Sequence, residues 1–313
     1  MLRRLGFGRA VYYLWHAPVG VLRRSSTAGG PLEQWRDVRG KKAMEAAAAS
    51  LQTSRDPAST QFPELHFLTG RKFWYQTAFC LHSLQQQSGA VFRAVFHDDG
   101  SFDAPTIERL QSLFPSAEIR RRADSDARVA ELLPPDRFPF IHAERGQLYP
   151  NFLKITDVHA GARGFRLVLD SDMLFFRRPE FLLRWLTSPD RPLTMTDIED
   201  SYGYSTPLME TIAGAKIPTK VNVGLCGIDS GSIDWERLEF WCRRLVEAEG
   251  TRYYVEQAVI AMLLAGREFA VAPRPDYLLL PGESECRAPT AVMHHYVADS
   301  KRGYFRHAWR HIA

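Results

Sequence analysis

From residue 64 onward the chain alternates short apolar runs with stretches of helical period. Glu64–Thr69 (ELHFLT) is an apolar run that stops at Gly70. Phe73–Gln87 places Phe73, Thr77, Cys80, Leu81 and Leu84 on one helical face. Ala90–His97 reads as a strand closed by the turn residues Asp98-Asp99-Gly100, Pro105–Phe114 as a helix, and Ala117–Arg121 as a strand. Tyr149–Ala160 reads as a helix with Pro150 near its start, and Phe165–Leu169 (FRLVL) as a buried strand. Alternation of this kind predicts an α/β fold, with a mainly parallel central sheet and helices on both faces. Such sheets bind ligands at the carboxyl ends of their strands.

The pattern loosens elsewhere. Residues 123–148, with Pro134-Pro135 and Pro139, read as irregular, and Asp197–Ala215 reads as a loop. Leu193–Thr196, Val221–Asp229 (VNVGLCGID) and Ala291–Val297 (AVMHHYV) read as strands. Asp234–Ala248, opened by its Asp, and Val255–Ala265 read as helices.

Residues 1–62 differ and are expected to form an N-terminal helical arm and linker, with one domain over 63–313. The arm starts with a basic segment and the apolar run Ala10–Leu22, which is broken by His16, Pro18 and Gly20. That run falls short of the roughly 20 apolar residues needed to span a bilayer. The flanking Arg23-Arg24 does not suit a signal-peptide cleavage site. Two readings remain: residues 1–24 make peripheral membrane contact, or they pack on the domain. Leu32–Leu51 is a helix by propensity, and Thr53–Pro63 has the composition of a linker.

Composition narrows the class. With 45% hydrophobic and 24% charged residues among 313, the chain is neither disordered nor fibrous. A net charge of +4 suits a phosphate-bearing ligand, and no nucleic-acid partner is expected. Cys80, Cys226, Cys242 and Cys286 form no Cys-x-x-Cys pair, which excludes a zinc ribbon or a thioredoxin-like motif. A reducing compartment is expected, so the location is read as cytoplasmic.

The chemistry concentrates at Asp170-Ser171-Asp172, directly after the FRLVL strand. In extended backbone, residues i and i+2 share a face, so the two carboxylates would project together. Adjacent carboxylates repel, and a divalent cation relieves that repulsion; oxygen ligands suit Mn²⁺ or Mg²⁺. His294 and His295 lie on a late strand, where alternation lets only one of them face the ion. Lys301 follows, as an ammonium for phosphate. Lysine occurs only seven times and asparagine twice, yet Lys154, Lys301 and Asn222 all fall within the segments that matter. A strand ending in Asp-x-Asp also occurs in haloacid-dehalogenase phosphatases. Their pattern has Thr or Val two residues after the second Asp, where this chain has Leu174.

Taken together, FLTGRKFW, YPNFLKITDV, VLDSDMLFFRRP, VNVGLCGID, YYVEQAVIAMLL and HYVADSK occur in an order that resembles GT-A nucleotide-sugar transferases over residues 64–306. The resemblance is to the glycogenin and bacterial lipopolysaccharide galactosyltransferase group. It implies a GT-A fold and a hexosyltransferase that moves sugar from a nucleoside-diphosphate donor, UDP-sugar first, to a glycan, lipid or protein acceptor with retention of configuration. It also implies that Asp170, Asp172 and His295 hold Mn²⁺ or Mg²⁺ and that Lys301 holds the diphosphate. Thr69, Gly70 and Arg71 would border the nucleobase, with Ser171 and Gly224 lining the donor. Lys154, Asn222 and Gln257 would orient the sugar. Asp197 is expected at a sugar hydroxyl, or else as a turn former, and Glu256 is the available nucleophile if the reaction is a double displacement. Tyr202 and Tyr204 are expected at the acceptor, as a stacking surface or lid, or in a mobile surface loop. The chain departs from the group at Val223, at Glu256 where Asp is commoner, and at Arg302-Gly303 after the lysine. A non-catalytic nucleotide- or glycan-binding protein of the same fold is the alternative from another class.

Overall fold

The computed structural model describes residues 30–54, 62–147 and 149–312. The apolar run Ala10–Leu22, the proposed membrane contact through residues 1–24 and most of the Thr53–Pro63 linker lie outside the described residues. No helix among the described residues is long and apolar enough to cross a membrane.

Seven strands form the central sheet: β1 (Leu65–Thr69), β2 (Ala94–Asp98), β3 (Glu118–Arg120), β4 (Phe165–Leu169), β6 (Leu193–Thr196), β7 (Val221–Asp229) and β8 (Ala270–Val271). Their order is β3-β2-β1-β4-β7-β6-β8. Pairing is parallel from β3 through β4 and antiparallel on both sides of β7. β5 (Met173–Phe175), β9 (Tyr277–Leu279) and β10 (Met293–His295) form a separate small sheet, with β10 in the middle. β4 and β5 are joined only by Asp170, Ser171 and Asp172, so this short segment links the two sheets.

Helices cover both faces, as the apolar alternation of the strands requires. Leu65 and Phe67 of β1 and Leu167 and Leu169 of β4 point into one core, shared with α1 (Pro31–Ala48), α2 (Trp74–Ser88), α3 (Ala104–Leu113) and α7 (Glu180–Thr187). Val221, Val223, Cys226 and Ile228 of β7 point into a second core. That core is filled by α4 (Arg122–Leu132), α5 (Pro139–Arg145), α6 (Leu153–His159), α8 (Thr206–Ala213), α9 (Trp235–Glu249) and α10 (Val255–Leu264). α11 (Glu283–Arg287) and α12 (Lys301–Arg306) complete the chain, and Arg306 ties α12 to Glu33 and Asp37 of α1.

Two stretches expected to be irregular are helical. Within 123–148 the prolines only separate α4 from α5, and Pro139 sits in the first turn of α5, where its missing N–H is no loss. α8 interrupts the expected Asp197–Ala215 loop in the same way, with Pro207 in its first turn and Gly214 as its left-handed C-cap.

On the second face three histidines are buried: His66 of β1, His97 of β2 and His159 at the end of α6. His66 Nδ1 is 3.0 Å from His97 Nε2, and His159 Nδ1 is 2.8 Å from Ser230 Oγ. Burial drives all three below the ordinary histidine value, His159 to about 3. α6 is held from its other side by Arg145, whose buried guanidinium binds Thr156 and Asp157 and lies 2.5 Å from Asp126.

Candidate metal and donor site

The site sits at the carboxyl end of β4, where the two sheets meet. The Asp170–Asp172 segment is a turn rather than extended strand. The two carboxylates therefore converge because the chain bends at Ser171 to enter β5, and not through strand alternation. Asp170 N donates to Gly224 O (2.7 Å), and Tyr296 N donates to Asp172 O (2.9 Å), which fixes both ends of the turn.

β10 brings in the third group. Ligand atoms of Asp170, Asp172 and His295 all lie within 4.8 Å of one another. His295 Nε2 is 3.6 Å from Asp170 Oδ2 and 3.3 Å from Asp172 Oδ1. His294 points the other way, as strand alternation predicts, with Nδ1 2.7 Å from Tyr296 Oη and Nε2 2.9 Å from Glu285 Oε1. His295 is 2% exposed, and neither of its ring nitrogens has an in-line hydrogen-bond partner. A buried imidazole left in this state, facing two carboxylates, is what a metal ligand requires. The set of two oxygens and one nitrogen suits Mn²⁺ or Mg²⁺. Gly224 makes room for the ring, since any side chain there would collide with it.

Two lysines bracket the pair. Lys154 Nζ donates to Asp170 Oδ1 (2.7 Å) and lies 3.0 Å from Glu256 Oε1. Lys301 Nζ donates to Asp172 Oδ2 (2.6 Å) and to Gln76 Oε1 (3.2 Å). Burial works against the charged form of Lys154, but Asp170 and Glu256 outweigh it and hold the ammonium above its usual range. Burial raises Asp172, yet Lys301 and His295 reverse this and leave its carboxyl below the usual range. Glu256 is pushed up to about 7 by burial and by Asp170, with Lys154 pulling the other way. Formally, three carboxylates face two ammoniums, a net −1 that a divalent ion would turn to +1, the right sign for a diphosphate.

A second polar group lies along β7. Asp197 Oδ2 accepts from Asn222 Nδ2 (3.0 Å) and Gln257 Nε2 (3.2 Å), while Gln257 Nε2 also donates to Val221 O (2.9 Å). Asn222 Oδ1 accepts from Gly224 N (3.0 Å), which links this group to the bend under His295. β7 is irregular here. Leu193 pairs with Gly227 and Met195 with Asn222, two steps along β6 against five along β7. The surplus residues put Asn222 and Gly224 to their separate uses.

On the β1 side, Thr77 Oγ1 donates to Thr69 Oγ1 (2.7 Å) and lies 2.7 Å from Ser171 Oγ. Gly70 presses so closely on Asp99 and Ser101 that it has no room for a Cβ, and Arg71 N donates to Ser101 Oγ (2.9 Å). The exposed Arg71 side chain reaches toward Asp103 at 3.9 Å.

Thus Asp170, Ser171, Asp172, His295, Lys154, Lys301 and Glu256 come together. Asp197, Asn222, Gly224 and Gln257 form an adjoining group, and Thr69, Gly70 and Arg71 line the β1 side. Tyr202 and Tyr204 do not reach the surface. Both are buried, and the Tyr202 hydroxyl is used up between Pro218 O and Val221 N, so neither can stack on an acceptor. Sequence reasoning missed Gln76 and Thr77; their signal is polarity on a helix that is otherwise buried nearly all round. Asp98 and Asp99 do form the expected turn, Asp98 Oδ1 accepting from Gly100 N and Phe102 N.

No family model and no curated protein matches the chain. Solved structures do. Mouse xyloside xylosyltransferase 1 in its apo form superposes with a TM-score of 0.50 at 12% identity, over 76% of this chain and 98% of that one. The bifunctional glycosyltransferase WbbM matches with a TM-score of 0.51 at 10% identity, over 80% of this chain and 49% of that one. An active-site mutant of LgtC matches with a TM-score of 0.50 at 12% identity, over 75% of this chain and 87% of that one. These likenesses are of fold. They bear out the expected architecture.

Proposed function

We propose that this chain, built on the GT-A fold, transfers a sugar from a nucleoside-diphosphate donor to an acceptor hydroxyl. The observation that carries the reading is the convergence of Asp170, Asp172 and the buried His295, whose ring nitrogens have no in-line hydrogen-bond partner, between two lysines. A divalent cation held by these three ligands would supply Lewis-acid neutralisation of the diphosphate. The residues do the rest. Lys301, at the outer edge of the cluster, holds the departing diphosphate as a point charge. Lys154 keeps Asp170 and Glu256 in place beneath the sugar. Asp197, Asn222 and Gln257, already locked together, offer a fixed row of polar atoms to the sugar hydroxyls. Thr69, Gly70 and Arg71 border the base. UDP as the nucleotide and retention of configuration belong to this reading through the resemblance of the motifs to the glycogenin and lipopolysaccharide galactosyltransferase group, and Glu256 is the carboxylate beside the sugar.

The test is metal-dependent binding of UDP and GDP by calorimetry, for wild type and Asp172→Ala, with turnover of a labelled donor followed in parallel. The expected result is Mn²⁺-dependent nucleotide binding that Asp172→Ala abolishes. An Asp172→Ala protein with unchanged metal and nucleotide affinity would refute the assignment. Binding without turnover would favour the non-catalytic alternative.

A further inference from the structure

Three of the large side chains that the fold leaves exposed are tyrosines gathered in one place: Tyr149 (57%), Tyr253 (49%) and Tyr254 (43%). Tyr253 meets Tyr149 edge to face, with ring centroids 4.7 Å apart, and meets Tyr254 in the same manner at 4.8 Å. In this arrangement the rings brace one another while about half of each residue stays open to solvent. A braced, exposed aromatic cluster is a contact surface rather than a stray apolar residue.

Its position ties it to the site. Tyr149 directly precedes the 3-10 turn Pro150–Phe152 that leads into α6, whose Lys154 holds Asp170. Tyr253 and Tyr254 directly precede α10, whose Glu256 meets the same Lys154. Tyr253 is near enough to Asp170 and Lys154 for both charges to act on its hydroxyl. The Asn151 side chain hydrogen-bonds Tyr253. α10, which follows Tyr253 and Tyr254, packs on β7, the strand of Asn222, whereas Thr69–Arg71 lie at the end of β1, across β4.

We propose that Tyr149, Tyr253 and Tyr254 form the acceptor platform, receiving the apolar C–H face of a pyranose ring of a glycan acceptor. A pyranose pairs an apolar face with a hydroxyl rim. The tyrosines match it with half-exposed rings, their own hydroxyls and the Asn151 amide, a mixture that suits a sugar better than an acyl chain. This inference rests on the transferase reading above.

The experiment loads the full chain with Mn²⁺ and whichever of UDP or GDP binds, screens it on a printed glycan array, and titrates the retained glycan into wild type, Tyr149→Ala, Tyr253→Ala and Tyr253→Phe. The tyrosines are exposed, so the variants are expected to fold, which near-ultraviolet circular dichroism checks. Tyr149→Ala and Tyr253→Ala should each weaken glycan binding about tenfold or more and change nucleotide affinity less than about twofold. Tyr253→Phe, which keeps the ring, should stay within about threefold of wild type. Glycan affinity that survives both alanine variants overturns the platform, as does nucleotide affinity that falls in parallel, or a nucleotide-loaded wild type that retains no glycan. A wild type that binds no nucleotide with metal refutes the transferase reading itself, a separate failure.

Discussion

Gly224 and His295 are packed so closely that only a hydrogen fits between them: a Cβ on Gly224 would stand 2.2 Å from His295 Cε1 and 2.6 Å from Nδ1. The imidazole is buried, so it has no room to retreat. Gly224→Ala should therefore cost about 1–3 kcal/mol of stability through overpacking. It should also weaken Mn²⁺ binding about tenfold or more by turning the ring. Metal titration by calorimetry checks this. Gly282→Ala is the control, because an added Cβ there meets nothing within 4 Å.

Asn222→Asp would set a second carboxylate against Asp197, whose Oδ2 now accepts from the Asn222 amide at 3.0 Å. Both side chains are buried. Repulsion should force one acid to hold a proton and should pull the Asp197–Gln257 contact apart. The expected outcome is a fall in donor turnover of about 100-fold, with Mn²⁺ affinity nearly unchanged. Steady-state kinetics alongside metal titration separates the two.

The buried His66, His97 and His159 make stability depend on pH. Their folded values lie below the ordinary histidine value, so below about pH 6.5 the unfolded chain binds protons that the folded chain refuses. Stability should therefore fall as pH drops from 7 toward 5, by up to about 1.4 kcal/mol per pH unit for each histidine. For His159 the loss continues down to its folded value of about 3. Thermal melts from pH 5 to 8 check the sign, and His159→Gln should flatten the slope.

Arg145 is the cation for Asp157, and both are almost wholly buried. Arg145→Leu would leave that carboxylate unpaired in the interior, at a cost of about 3–5 kcal/mol. Urea denaturation measures the loss. Arg145→Leu combined with Asp157→Leu should recover a good part of it, because no charge is then left stranded.

The elements that could be read from the sequence rest on local signals; α4, α5 and α8 lie in stretches that read as irregular. FRLVL announces β4, Asp234 caps α9 by accepting from Arg237 N, and strand alternation set His294 and His295 on opposite faces, the family resemblance then choosing His295. The candidate cluster was visible as Asp170 and Asp172 in one short segment and His295 and Lys301 in another. Failures came where tertiary contact overrides local pattern. The backbone at Ser171 bends because β5 belongs to another sheet, which i, i+2 spacing does not reveal. Tyr202 and Tyr204 sit in a polar, glycine-containing loop, yet burial claims both. Gln76 meets Lys301 across 225 residues of chain, a distance at which no pattern signals contact.

The Asp170–Asp172 turn also has a mechanical side. Asp170 directly follows β4 of the large sheet, whereas Asp172 directly precedes β5 and His295 closes β10 of the small one. An ion gripping all three would be a rivet driven through a seam. It would fasten, at this one turn, two sheets that otherwise meet through shared core packing, and sliding one past the other would strain its hold on the ion.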